Sequence, residues 1–198
     1  MTKPKFSRII PIALILIIVA VSIAALVSLA RTVFFSGTIA QKSVDISKES
    51  LLNTSVNYSV ALIVRGPIVA NESFSSYQIK VAPNSRSLTV YSGYLNQISN
   101  NIVLDNNIPA YEQFVYALDK ANMEKGTELS GNKNDLRGIC ASGFVYEYKI
   151  LKSDSSIKSL WSSSCSGSRG SLDASVNQLN KLFMAQIPDS SDIINKIW

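Results

Sequence analysis

The pattern of apolar and polar residues divides the chain into one long uncharged run and a longer segment of short alternating stretches. Residues 9–30 contain no charged side chain. A helix over them would cross a bilayer, because about 20 residues at ~1.5 Å each span its ~30 Å hydrocarbon core. We therefore predict a transmembrane helix at 9–30, preceded by a cytoplasmic N-terminus at 1–8.

The flanks of this apolar run indicate its processing and its orientation. A cleaved signal peptide is the alternative, because basic residues precede the run and Ser28-Leu29-Ala30 would suit cleavage. Signal peptides, however, usually carry a shorter apolar core of ~7–15 residues. More positive charges precede the run than follow it at once, which favours an N-terminus inside. We expect an uncleaved, single-pass signal anchor in the cell membrane with the C-terminal domain outside.

Three small residues fall on one face of the predicted membrane helix. Ala20, Ala24 and Ser28 are spaced four apart, a pattern that lets two membrane helices approach closely. This spacing predicts a homodimer through the anchor. The alternative is that alanine and serine are simply common in membrane helices.

The next stretches alternate with period two, which is typical of strands with one buried face. Residues 31–54 mix both residue types and are predicted to be a partly helical linker. Strands are predicted over 56–64, 77–81 and 88–90. A turn at Pro83-Asn84 would pair Ile79 with Leu88 and Tyr77 with Val90. Residues 92–107 could form another strand or an irregular loop.

The second half of the domain shows two helices around a hairpin. Pro109 near its start and Gly126 at its end delimit the first helix, and Ser171 is the predicted N-cap of the second, which Pro188 ends. A two-residue turn would place the apolar positions of both hairpin strands on one face. These positions are Phe144, Tyr146, Tyr148, Ile150, Ile157 and Trp161.

Together these elements predict the α+β class. One N-terminal transmembrane helix precedes a mostly antiparallel sheet with two packed helices, in the order β-β-β-α-β-β-α. The extracytoplasmic domain is predicted at 55–188, with a tail at 189–198.

The amino-acid composition limits the partners and metal sites that the chain could have. The net charge is +5, but the basic residues are scattered, so we expect no nucleic-acid partner. Cys140 and Cys165 are the two cysteines, and there is no histidine, which excludes an ordinary zinc site. We predict a disulfide between them if the domain meets an oxidising compartment, and two buried thiols if it faces the cytosol.

No catalytic signature stands out. The missing histidine excludes the common Ser-His-Asp and Cys-His arrangements, and we expect no cofactor. Ser-x-x-Lys occurs at Ser130–Lys133 and at Ser155–Lys158, in loops where chance explains both. The tyrosines suit a sheet core, although Tyr91 and Tyr94 beside Gly93 could instead be exposed for binding.

Five segments occur in a recognisable order along the chain: GPIVANESFSSYQIKVAPNSRSLTVYSGYL, AYEQFVYALDKANM, RGICASG, LWSSSCSG and LFMAQIPD. This order resembles uncharacterised single-span membrane proteins of reduced-genome candidate-phylum bacteria, the Saccharibacteria-like group. The resemblance implies a bacterial chain whose exported domain meets a host cell or the envelope. We expect a non-enzymatic surface module that binds a protein or polysaccharide partner. A cell-envelope enzyme using Ser, Lys or carboxylates, or a subunit of a larger membrane complex, is the alternative.

Overall fold

The computed structural model describes residues 17–27 and 46–198, in two compact units that divide after Val44. In the first unit, residues 17–27 are helical and exposed, Ala20 and Ala24 among them. Ser28 and the rest of the predicted membrane helix lie outside the described residues, as does most of the predicted linker. Within the described ranges, no helix has both the length and the apolar character needed to cross a membrane.

The second unit contains six strands and four α-helices in its described residues. The elements are α1 (Ile46–Leu51), β1 (Tyr58–Arg65), β2 (Ser75–Val81), β3 (Ser85–Ser92), β4 (Gln97–Asp105), α2 (Ile108–Lys120), β5 (Val145–Lys152), β6 (Ser155–Ser163), α3 (Val176–Met184) and α4 (Ser190–Ile194). Every pairing among these strands is antiparallel, and their order in the sheet is β4-β3-β2-β1-β5-β6. This confirms the α+β class.

The predicted order had three strands before the first long helix, and the structure has four. The additional strand is β4, which lies at one edge of the sheet. Its side chains are exposed or half-buried along its whole length. Ser99, Asn100 and Asn101 separate the apolar residues of this strand, so it lacks the regular alternation by which strands are recognised.

The core lies between the helices and one face of the sheet. Leu62 of β1 is fully buried there, and Phe114 of α2 meets Phe183 of α3 edge to face at 5.3 Å between ring centroids. The Tyr148 hydroxyl donates to the Asn180 side-chain oxygen at 2.6 Å, which joins β5 to α3. The opposite face of the sheet, here called the open face, carries the intervening residues of each strand.

Side-chain caps determine where the two longer helices begin. Asn107 caps α2 by accepting from the Ala110 backbone N–H at 3.0 Å, just before Pro109, in agreement with the sequence. The predicted cap of the second of these helices was wrong. Ser175, not Ser171, caps α3, because the Ser171 hydroxyl instead accepts the Trp161 backbone N–H at 3.0 Å.

The predicted register of the first hairpin is confirmed: Tyr77 lies opposite Val90, and Ile79 lies opposite Leu88. Alternation and a tight turn therefore sufficed to set both the pairing and the buried face of β2 and β3.

The predicted register of the β5–β6 hairpin was wrong for one buried side chain. The turn is the two-residue type expected, with Ser153 and Asp154 both at positive φ. A bulge then shifts the ladder between Ile150 and Leu151. One extra residue reverses the faces beyond it, so Trp161 lies opposite Glu147 on the open face.

Both ends of the second unit pack onto its core. Leu51 of α1 is fully buried, and this compact unit begins at Asp45, whereas the sequence predicted a start at 55. Within the predicted tail, Ile194 is buried, and the Trp198 ring meets Phe144 edge to face at 5.0 Å.

Candidate binding pocket

A pocket of about 480 Å³ opens at the end of the sheet where β1 finishes and β5 begins. Three loops complete it: the segment after β1, the β3–β4 turn and the segment before β5. The lining residues are Arg65, Gly66, Ile68, Phe74, Tyr94, Asn134, Asp135, Leu136, Arg137, Gly138, Ile139, Cys140 and Val145.

Two stacked aromatic rings form one wall of the pocket. The Phe74 and Tyr94 rings lie 4.1 Å apart and within 16° of parallel. Phe74 is buried, whereas 46% of Tyr94 is exposed. A flat ring supported from behind in this way presents an aromatic surface to a ligand.

Hydrogen bonds hold Tyr94 in place. Its hydroxyl donates to the Val69 carbonyl at 2.7 Å and accepts from the Val69 N–H at 3.1 Å. Its backbone N–H donates to the Asn71 side-chain oxygen at 3.1 Å. The preceding Gly93 has φ +67°, and a Cβ there would lie 2.9 Å from that same oxygen. The turn that carries Tyr94 therefore needs glycine at this position.

The disulfide ties the opposite wall to the sheet. Cys140 and Cys165 are bonded, with their Cα atoms 5.6 Å apart, which confirms the predicted pairing. Two further bonds secure the same loop: Ser168 donates its hydroxyl to the Ile139 carbonyl at 2.8 Å, and Ile68 donates its N–H to the Ala141 carbonyl at 2.8 Å. The disulfide and these two hydrogen bonds thus hold this wall of the pocket in place.

Two arginines bring positive charge to the pocket. Arg65 donates through Nη2 to the Glu147 carboxylate at 3.2 Å, and 40% of its side chain is exposed. Arg137 donates through Nε to both carboxylate oxygens of Asp135 at 2.9 Å. Those bonds from Arg137 lower the pKa of Asp135 to about 2. Each guanidinium has five N–H groups, so both arginines keep donors for a ligand.

This arrangement suits binding rather than acid–base catalysis. Asp135 is the one carboxylate among the lining residues, and its low pKa keeps it ionised near neutral pH. General acid–base catalysis needs a group that titrates near the working pH. Elsewhere in the described chain, no three Cys, Asp or Glu side chains gather in a way that could hold a metal ion.

The other candidate residues from the sequence lie in different parts of the structure. Tyr91 lies on the open face, with its hydroxyl 3.5 Å from the Gln78 side-chain oxygen, whereas Tyr94 lines the pocket. Lys158 donates its ammonium to the Glu124 carbonyl at 2.6 Å, and no described hydrogen bond joins it to Ser155. Neither Ser130 nor Ser155 lines the pocket.

Among the residues of this pocket, Tyr94 was predicted from the sequence as a possible binding residue, whereas the two arginines were not. Arg65 ends a strand and Arg137 lies in a polar loop, so neither stands out by spacing. A comparison with protein-family models finds no match to this chain, and a comparison with curated proteins finds none either. The function must therefore be inferred from the pocket itself.

Proposed function

We propose that this chain is a membrane-anchored, extracytoplasmic binding module without enzymatic activity, and that its pocket binds a polysaccharide partner at the cell surface. The observation that carries the proposal is the exposed Tyr94 ring beside two arginines with free donors. A protein partner is the alternative within the same class.

The aromatic wall of the pocket favours a sugar as its ligand. One face of a pyranose ring presents C–H groups, whose partial positive charge suits the negative face of an aromatic ring. The hydroxyl groups at the rim of such a ring accept hydrogen bonds, which Arg65 and Arg137 can donate. A pocket of about 480 Å³ falls in the usual range for small-molecule sites, so it would hold one or two sugar units of a longer chain.

The anchor and the disulfide support an extracytoplasmic location. The uncharged run at 9–30 is long enough to span a bilayer, and its flanking charges favour export of the domain. A disulfide persists in oxidising compartments and is rare in the cytosol. Dimerisation of the anchor through Ala20, Ala24 and Ser28 stays a prediction.

The test is binding of the full-length chain in nanodiscs to polysaccharide extracted from bacterial envelopes. Tyr94→Ala should weaken binding about two- to tenfold, because an aromatic contact contributes roughly 0.5–1.5 kcal/mol. Arg137→Ala should weaken it about tenfold or more, and the Arg137 side chain is 91% exposed, so the fold should tolerate the change.

Tyr116→Ala is the matched control, because Tyr116 is 47% exposed but lies on α2, outside the pocket. It should bind as the wild type does. Equal binding by all variants would place the contact elsewhere, and the absence of binding to any envelope polysaccharide would contradict the proposal.

A further inference from the structure

The two edge strands of the sheet, β6 and β4, differ in whether their outer backbone groups are hydrogen-bonded. At β6, the Ser159 N–H donates to the Glu128 carboxylate, and the Trp161 N–H donates to the Ser171 hydroxyl at 3.0 Å. The Trp161 carbonyl accepts the Leu172 N–H, also at 3.0 Å. The loops that flank β6 therefore satisfy backbone groups that a further strand would otherwise pair with.

The β4 edge has no such cover within the described chain. Its nine residues pair with β3 on one side, and on the other side no described residue bonds to their backbone. Residues 97–105 contain no proline and no basic residue, and Asp105 at the end carries the one charge. Natural proteins usually protect a long edge strand with such residues, and β4 lacks them.

We propose that β4 is an interface between two copies of this chain, which pair antiparallel through β4 with Asn101 at the twofold axis. In this register the numbers of paired residues sum to 202 from Asn100 to Ile102. Beyond the extra residue Ser99, which has no partner in the β3–β4 ladder, they sum to 201, so open-face residues meet open-face residues. The two sheets would then form one continuous sheet, and both helical layers would lie on the same side. A twofold axis makes the contact close on itself.

The exposed apolar side chains along this edge are placed symmetrically about Asn101. Ile98 lies three residues before it and Val103 two residues after it, and both are more than 60% exposed, at 61% and 63%. The bulge between Val90 and Tyr91 of the β3–β4 ladder leaves Ser99 without a partner, so Ile98 and Val103 each lie two ladder positions from Asn101 and on the same face. Each Val103 would therefore lie opposite Ile98 of the second copy.

The next apolar pair follows the same symmetry. Leu95 is 93% exposed in the turn before β4, and Ile108 is 52% exposed at the start of α2. In the proposed register Leu95 lies opposite position 106 of the second copy, two residues before Ile108. Pairing would thus bring four kinds of exposed apolar side chain together at one contact.

The charges along the edge permit this self-pairing. Asp105 would lie opposite Asn96 of the second copy. The two Asp105 residues would be eight positions apart along the strands, or roughly 27 Å at ~3.4 Å per residue. Screening removes most repulsion at that distance. A second copy therefore fits this edge without like charges in contact.

The first test is disulfide trapping in the full-length chain reconstituted in nanodiscs or detergent. Both native cysteines are paired, so Asn101→Cys adds the one free thiol. Directly opposed strand residues have Cβ atoms about 4.5–5.5 Å apart, within reach of a disulfide. We expect most of the Asn101→Cys chain to form a covalent dimer under mild oxidation. Val56→Cys, at a position 70% exposed in the wild type and outside the sheet, should give at least tenfold less.

A charge on the edge provides the second test. Val103→Lys combined with Asn101→Cys should reduce the trapped dimer at least tenfold, because two lysines would enter the paired edge. Val56→Lys combined with Asn101→Cys is the matched control and should leave the dimer unchanged. These variants leave the anchor intact, so an effect of Val103→Lys separates the β4 contact from contacts between anchors. Equal trapping at Val56→Cys, a cross-link to a different protein in cells, or no dimer at all would overturn the proposal.

Discussion

Removing the disulfide is the perturbation whose cost the structure defines best. Cys140 and Cys165 are separated by 25 residues. In the chain-entropy treatment, a closed loop of that length lowers the entropy of the unfolded chain by about 12 cal/mol/K, or roughly 3.5 kcal/mol at 25 °C. The double variant Cys140→Ala/Cys165→Ala should therefore lose about 3.5 kcal/mol of unfolding free energy.

Thermal unfolding followed by circular dichroism measures this loss. In a domain of this size, each kcal/mol shifts Tm by roughly 2–4 °C, so the double variant should melt about 7–14 °C below the wild type. The double variant should also bind the pocket ligand more weakly, because Cys140 is a lining residue and its loop would lose its link to the segment after β6.

Reductant provides the matched control. It should lower the Tm of the wild type towards that of the double variant, and it should leave the double variant unchanged. A loss under about 1 kcal/mol, or an equal effect of reductant on both proteins, would refute the idea that this cross-link stabilises the fold.

Three other predictions concern packing and protonation. Gly170→Ala should cost about 1–3 kcal/mol in a denaturant titration, because the new Cβ would lie 1.8 Å from the Trp161 carbonyl oxygen, whereas Gly167→Ala meets nothing within 4 Å and should be nearly neutral. The carboxyl carbon of Asp135 should titrate by NMR with a pKa of about 2, and Arg137→Ala should return that pKa to roughly 3.9; an unchanged midpoint would contradict the pairing. Burial raises the pKa of three tyrosines above the ordinary value of ~10. Their contribution to stability is therefore complete below pH ~10 and is lost as the pH rises through the raised pKa. Ultraviolet absorbance should show that these tyrosines ionise late, together with unfolding, and a single normal titration of all tyrosines would contradict this. These tyrosines are Tyr77, Tyr111 and Tyr148.

Alternation along the chain was enough to predict the strands that bury one face. It fixed the pairing of Ile79 with Leu88, because a tight turn leaves one register that buries both. It failed for Trp161, because a single-residue bulge reverses the faces of a strand and leaves no mark in the hydrophobic pattern. The disulfide was predicted correctly even so, because with two cysteines there is only one pairing.

The pocket could not be predicted in the same way. Arg65, Tyr94 and Arg137 come from three segments far apart in sequence, and only the folded sheet brings them to one end. The β4 edge was equally hard to recognise, since Ser99, Asn100 and Asn101 interrupt the alternation of its apolar residues. Local periodicity reports burial, whereas binding surfaces are made of residues that stay exposed.

The most direct test of the proposed extracytoplasmic domain is thiol labelling in intact bacterial cells. A maleimide that cannot cross the inner membrane is applied to cells that express the full-length chain, before and after a reductant that also stays outside. We predict no labelling of Cys140 or Cys165 before reduction and labelling of both after it, while the cells are still intact. Labelling before reduction would contradict the disulfide in the cell, and protection from both reagents until the membrane is broken would contradict the outward orientation.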